Sequence, residues 1–132
     1  MVDALKQRVQ DGGLKNVTCE QVDIYALPYQ AGEFDSVVAA NVLHLVPDLS
    51  AALRALQNVT KPSGSLVVWT FCHDETKASW LVSRLLAVSG FPGHRRFTMQ
   101  SFRSALEDSG LQINREELIS GLIPIGFVEC VF

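Results

Sequence analysis

Four clusters of polar residues in this 132-residue chain have types and spacings that could do chemistry. Asp23 followed by Ile24 sets an acceptor-only carboxylate beside an apolar side chain. That pairing suits an adenine, whose exocyclic amine needs an acceptor and whose ring needs an apolar wall. The same aspartate at a strand end could instead hold backbone N–H groups of the loop that follows, and the residues alone leave both roles open. Asn41, Val42, Leu43 and His44 follow a continuously apolar run. His44 is the candidate general base of the chain, although a histidine in such a place also serves to pack or orient a loop. Cys72, His73, Asp74 and Glu75 crowd a third strand end, but adjacent Cys and His point to opposite faces of a strand and lack metal-ligand spacing, so no metal is expected. His94, Arg95 and Arg96 sit in a loop with Gly and Pro, either as a solvated turn or as an anion site.

The elements that must position these groups can be read from periodicity. Val2, Leu5 and Val9 mark one face of a helix that Gly12 and Gly13 would end. Alternation in NVTCEQVD predicts a strand from Val17 to Asp23. DSVVAAN, Asp35 to Asn41, and SLVVWTF, Ser65 to Phe71, are too continuously apolar for half-exposed strands and are expected to be covered on both faces, as in a parallel sheet. Between them Asp48 would cap a helix whose apolar positions are Leu49, Ala52, Leu53, Leu56 and Val59, with Pro62, Ser63 and Gly64 as its stop. This is a βαβ unit. A helix carrying Trp80, Leu81, Leu85 and Leu86 follows, then one capped by Thr98 and closed by Gly110, then an antiparallel strand pair around Gly121. The fold class is α/β: a partial Rossmann-like sheet, mostly parallel with a carboxy-terminal antiparallel strand pair. In such a sheet ligands bind outside the carboxyl ends of the strands, where Asp23, Asn41 and Cys72 fall.

Composition narrows the function classes. With 48% apolar and 19% charged residues the chain reads as one compact domain, and a net charge of −3 excludes a broad nucleic-acid footprint. No run approaches the length of a membrane span and the first residues lack a signal-peptide core, so a cytoplasmic protein without membrane or nucleic-acid partners is expected. Cys19, Cys72 and Cys130, odd in number and each in an apolar stretch, are expected to be reduced, buried strand residues.

The succession VDIYALPYQAGEFDSVVAANVLHLVPD, a helix, and NVTKPSGSLVV resembles the class I S-adenosylmethionine-dependent methyltransferases that act on small molecules, in particular the ubiquinone-biosynthesis branch. Asp23, Leu27, Pro28, Tyr29, Phe34, Asp35, Leu43, His44, Pro47, Asp48, Lys61, Pro62 and Gly64 match the pattern of that family in order, covering residues 1 to about 72 closely. The resemblance implies S-adenosylmethionine as cofactor and a small-molecule substrate. It implies that Asp23 accepts from the adenine amine, that Ile24 lies against the ring, and that Asn41 and Val42 approach the methionyl part. Leu45 replaces the second histidine of the family's usual pair, and Ser63 replaces the first glycine of its turn.

The family also carries a glycine-rich loop and a ribose-binding carboxylate, and this sequence has no G-x-G-x-x-G; that absence also disfavours a nicotinamide-dependent oxidoreductase. The resemblance thus implies a single methyltransferase-like domain, residues 1–132, amino-terminally truncated relative to the family, with Met1 and Val2 inside the helix after the second strand. Cofactor binding by this chain alone is expected to be weak or absent. The rival reading is a non-catalytic fragment or interaction module that needs a partner chain to complete the site. Two strand edges would lack their neighbours, so the strands at Val17 to Asp23 and Asp35 to Asn41 are expected to pair directly, or a second copy or a complementing chain is expected to cover each edge.

Overall fold

A computed structural model describes residues 2–72, 95–121 and 123–132. Three helices, α1 (Val2–Asp11), α2 (Leu49–Val59) and α3 (Met99–Glu107), accompany strands β1 (Phe34–Ala40), β2 (Thr60–Phe71), β3 (Gln112–Ile119) and β4 (Ile125–Val131). The four strands form one sheet in the order β1-β2-β4-β3. β1 and β2 run parallel around α2, which is the expected βαβ unit, while β4 pairs antiparallel with both β2 and β3. The expected helix at Trp80, Leu81, Leu85 and Leu86 lies outside the described residues, as do His73, Asp74, Glu75 and His94.

Local chemistry accounts for the helix boundaries. The Asp48 carboxylate accepts from the Ala51 N–H at 2.9 Å, satisfying one orphan donor at the start of α2, and the apolar stripe Leu49, Ala52, Leu53, Leu56, Val59 is buried. Thr98 and Ser101 form a reciprocal capping box on α3. Gly13 and Gly110, at φ 62° and 81°, close α1 and α3 with Schellman-type bonds, Leu14 N–H to Val9 O and Leu111 N–H to Leu106 O.

The core lies between α2, α3 and one face of the sheet, where Leu53, Leu66, Val68, Phe102, Leu106 and Val128 meet. The two apolar strands were expected to be covered on both faces, and among the described residues a helical layer covers only this one. On the other, Val38 is 56% exposed, and Val67, Trp69 and Phe127 are half-buried. Trp69, Ile119, Ile125 and Phe127 line an open depression of about 370 Å³ there. A long apolar run reports the strand but not the presence of a second covering layer.

Three further expectations need correction. Residues 17–23 form no strand and Val17 and Val22 stand 41% exposed, so the direct pairing with β1 does not occur. Alternation selects an extended segment, but it does not specify the neighbour that a ladder needs, and residues 17–23 exchange no ladder bonds with the outer edge of β1. The parallel part of the sheet is correspondingly one strand pair. Cys19, outside any strand, is only partly buried, whereas Cys72 and Cys130 are buried, and none of the three is in a disulfide. Finally, α2 ends before the Pro62 to Gly64 turn, with the Thr60 hydroxyl donating to Leu56 O at 2.7 Å, and the turn becomes a bulge within β2. Gly64 is required in it: a Cβ would sit 2.5 Å from Asp35 O and 2.9 Å from Thr60 Cγ2. No helix among the described residues is long and apolar enough to cross a membrane.

Candidate active site

The carboxyl end of β1 delivers the chain into a turn at Asn41. Its N–H still donates to Trp69 O at 2.8 Å, extending the parallel ladder by one bond, while its backbone switches to φ 54°. Asn41 is the non-glycine residue with positive φ among those described, a conformation asparagine tolerates because its short side chain can bond locally. Here it does not bond at all: Oδ1 is buried and has no hydrogen-bond partner among the described residues. A buried acceptor left without a donor costs about 1–3 kcal/mol, and strained backbone of this kind collects at ligand sites. Val42 packs on the core, and its carbonyl accepts from the Leu45 N–H at 2.9 Å to close the turn.

His44 is carried inward by that turn and is 2% exposed. Its Nδ1 lies 3.3 Å from the Thr70 hydroxyl and its ring meets Phe71 edge-on. The structure therefore places the candidate base inside the core. From outside, Arg95 fastens the same loop: its N–H donates to His44 O at 3.2 Å and its guanidinium to Pro47 O at 2.8 Å. The basic cluster thus has a described member whose charge is directed to a carbonyl, leaving the anion reading without support from Arg95.

Asp23 opens the neighbouring loop. Its Oδ1 accepts from the Tyr25 N–H at 2.9 Å and its carbonyl from the Ala26 N–H at 3.0 Å, so one carboxylate oxygen does serve the loop backbone. Oδ2 makes no hydrogen bond among the described residues and the residue is exposed. Ile24 and Leu27 are partly buried against the core. Both roles weighed for Asp23 are therefore compatible in one side chain. The two loops are joined by Tyr25, whose hydroxyl accepts from the Asp48 N–H at 3.0 Å.

Farther from the strand ends, Lys61 pairs with Asp35 at 2.6 Å, and that ammonium holds the Asp35 carboxyl below the usual carboxylate range. Tyr29 donates to Glu20 at 3.0 Å and meets Phe34 edge-on; the hydrogen bond to the Glu20 carboxylate, first among the causes, raises its phenol above the ordinary value. Sequence reasoning missed Tyr25 and the Arg95 clamp because their partners lie 23 and 48 residues away. The left-handed turn at Asn41 had a local signal, an asparagine directly after an apolar strand.

A profile described as a methyltransferase domain matches residues 1–110. The ubiquinone/menaquinone biosynthesis C-methyltransferase UbiE of Shewanella frigidimarina is 38% identical over 72 residues, 54% of this chain and 29% of that protein. Among solved structures, a SAM-dependent methyltransferase from Aquifex aeolicus superposes with a TM-score of 0.76 at 21% identity, covering 99% of this chain and 63% of that one. The methyltransferase CalH, solved in complex with SAH, gives a TM-score of 0.71 at 20% identity over 97% of this chain and 38% of its own. The structural likenesses show the Rossmann-like methyltransferase fold, and the chain spans between 29% and 54% of the length of the curated relatives it matches. With most of its length matched by the family profile, the chain belongs to the methyltransferase-domain family.

Proposed function

We propose that this chain carries the adenine- and methionyl-binding part of an S-adenosylmethionine site and serves methyl transfer to a small-molecule acceptor. The observation that carries the reading is the buried, unpartnered Asn41 Oδ1 at the carboxyl end of β1. A ligand with a donor group, such as the ammonium of a methionyl moiety, would satisfy it. The free Oδ2 of Asp23 fits the adenine amine and Ile24 its ring edge; Val42 supplies the wall behind Asn41. The cofactor supplies an activated sulfonium methyl, and the residues named here bind and orient it. Transfer of that kind rests on proximity and alignment, so an enclosed His44 is no obstacle: we assign it to holding the loop rather than to proton abstraction.

The same reading extends to a partner. The sequence holds no glycine-rich loop, and the outer edge of β1 is unpaired among the described residues, so a strand from a second copy or a complementing chain beside β1 would both cover the edge and bring further cofactor contacts. Two charge-assisted bonds and an apolar wall amount to about 4–7 kcal/mol, at the low end of the roughly 4–15 kcal/mol lost on immobilising a ligand, so this chain alone should bind only weakly.

The test is an amide NMR titration with S-adenosylhomocysteine. Shifts confined to residues 23–26 and 41–45 at millimolar ligand, removed by Asp23→Ala and by Asn41→Ala, are the expected result. Absence of any localised shift, or tight binding that Asp23→Ala does not touch, would overturn the proposal.

A further inference from the structure

We infer that Tyr25 is a positioning residue that holds the Asp23 loop in register with the Asn41 turn, an inference that rests on the reading of both as parts of one ligand site. A capping box needs two bonds: the cap side chain to the N–H three residues on, and the side chain at that third position back to the cap N–H. Asp48 makes the first, to Ala51 at 2.9 Å. Ala51 has no side-chain acceptor with which to make the second. The Tyr25 hydroxyl supplies it from outside the helix, accepting from the Asp48 N–H at 3.0 Å across 23 residues. A bond that a glutamate at position 51 could make locally is thus made by a different loop.

What this arrangement adds over a local cap is a fixed relation between two strand ends. The Tyr25 N–H donates to Asp23 Oδ1, so the tyrosine holds the aspartate at one end and α2 at the other. Asp48 closes the loop that starts at Asn41, and that loop is pinned on its far side by Arg95 through His44 O and Pro47 O. Asp23 Oδ2 and Asn41 Oδ1, the two open acceptors, thus lie on two loops whose sole described hydrogen-bond link is the Tyr25 hydroxyl. Removing that hydroxyl leaves both acceptors present and leaves core packing alone to hold one loop against the other.

The distinction between positioning and mere capping can be measured. Tyr25→Phe keeps the ring and deletes the bond. Adding Ala51→Glu then restores the second half of the capping box within the helix without restoring the link between loops. In the wild-type chain, Asp48 amide exchange should be slow; in Tyr25→Phe it should quicken by about tenfold. Affinity for S-adenosylhomocysteine, read from the same NMR titration, should fall about three- to tenfold. In the double variant the melting temperature and Asp48 protection should return while affinity stays low. Recovery of affinity in the double variant, or wild-type affinity in Tyr25→Phe, overturns the positioning role and leaves the ligand site standing. A wild-type chain that shows no localised shift removes the ligand site itself and this role with it.

Discussion

At the scale of single residues, two kinds of atom carry the most consequence: those that lack partners and those that approach too closely to change. Asn41 Oδ1 belongs to the first kind. Gly64 belongs to the second, since the Asp35 carbonyl and the Thr60 methyl occupy the space a side chain would need. Gly64→Ala must push β1 away from the bulge in β2, and a loss of about 2 kcal/mol or more is expected in urea unfolding, in the range of overpacked sites. A midpoint unchanged from wild type would show that the bulge yields freely. Cys130 offers a pH-dependent readout. Burial pushes its thiol up to about 11, with the neighbouring Glu129 carboxylate adding to the effect. Above the thiol's ordinary pKa the unfolded chain releases a proton that the folded chain keeps, so the contribution is complete below about pH 8.5 and is lost as pH rises toward the folded value. Comparing wild type with Cys130→Ala between those limits should reveal an excess loss on the order of 2 kcal/mol in the wild type. Parallel pH profiles would contradict it. Thiol reagents at neutral pH should reach Cys19 first, because it alone of the three is not fully buried.

At the scale of elements, the sequence was most legible where the deciding interaction is local. The caps at Asp48 and Thr98, the glycine closures after α1 and α3, and the buried stripe of α2 all depend on residues within five positions of one another. The segment at residues 17–23 was misread because alternation describes a side-chain pattern, and strand formation depends on a neighbour the pattern does not specify. Helix α1 forms for local reasons too, yet none of its residues is buried and Leu5 is 50% exposed. The Asp23 and Asn41 candidates were legible as residue types at strand ends; their union through Tyr25 was not, because it crosses two loops. The α2 cap gives the prediction proper to this scale. Asp48→Ala deletes the bond to Ala51 but leaves the backbone N–H that Tyr25 holds. The expected loss is about 0.5–2 kcal/mol in thermal or denaturant unfolding, with the Tyr25 contact intact by NMR. Loss of that contact in the variant would mean that the carboxylate, and not the backbone, fixes the loop.

At the scale of the whole molecule, the sheet is finished on one face and at one edge more than at the other. Helices α2 and α3 bury Leu66, Val68 and Val128, while the opposite pleat presents Val38, Val67, Trp69 and Phe127 half-covered. β1 lies at the end of the strand order, and no described strand takes up the backbone donors and acceptors along its outer side. An apolar, unpaired edge strand templates further pairing, and charged side chains are the usual means of preventing it. β1 has a charge only at Asp35, which is engaged by Lys61, and none from Ser36 to Ala40. The chain should therefore associate as its concentration rises, with sedimentation velocity showing species heavier than the 14.5 kDa monomer. Val38→Lys puts a charge at the middle of that edge, on a side chain already 56% exposed, so it removes little core packing. It should shift the distribution toward monomer while leaving unfolding within about 0.5 kcal/mol of wild type, the usual range for surface substitutions. A wild-type chain that stays monomeric at high concentration would show that the β1 edge is not a pairing site. Association that Val38→Lys leaves unchanged would point away from β1 and toward the depression bordered by Trp69 and Ile119, on the far side of the same sheet face.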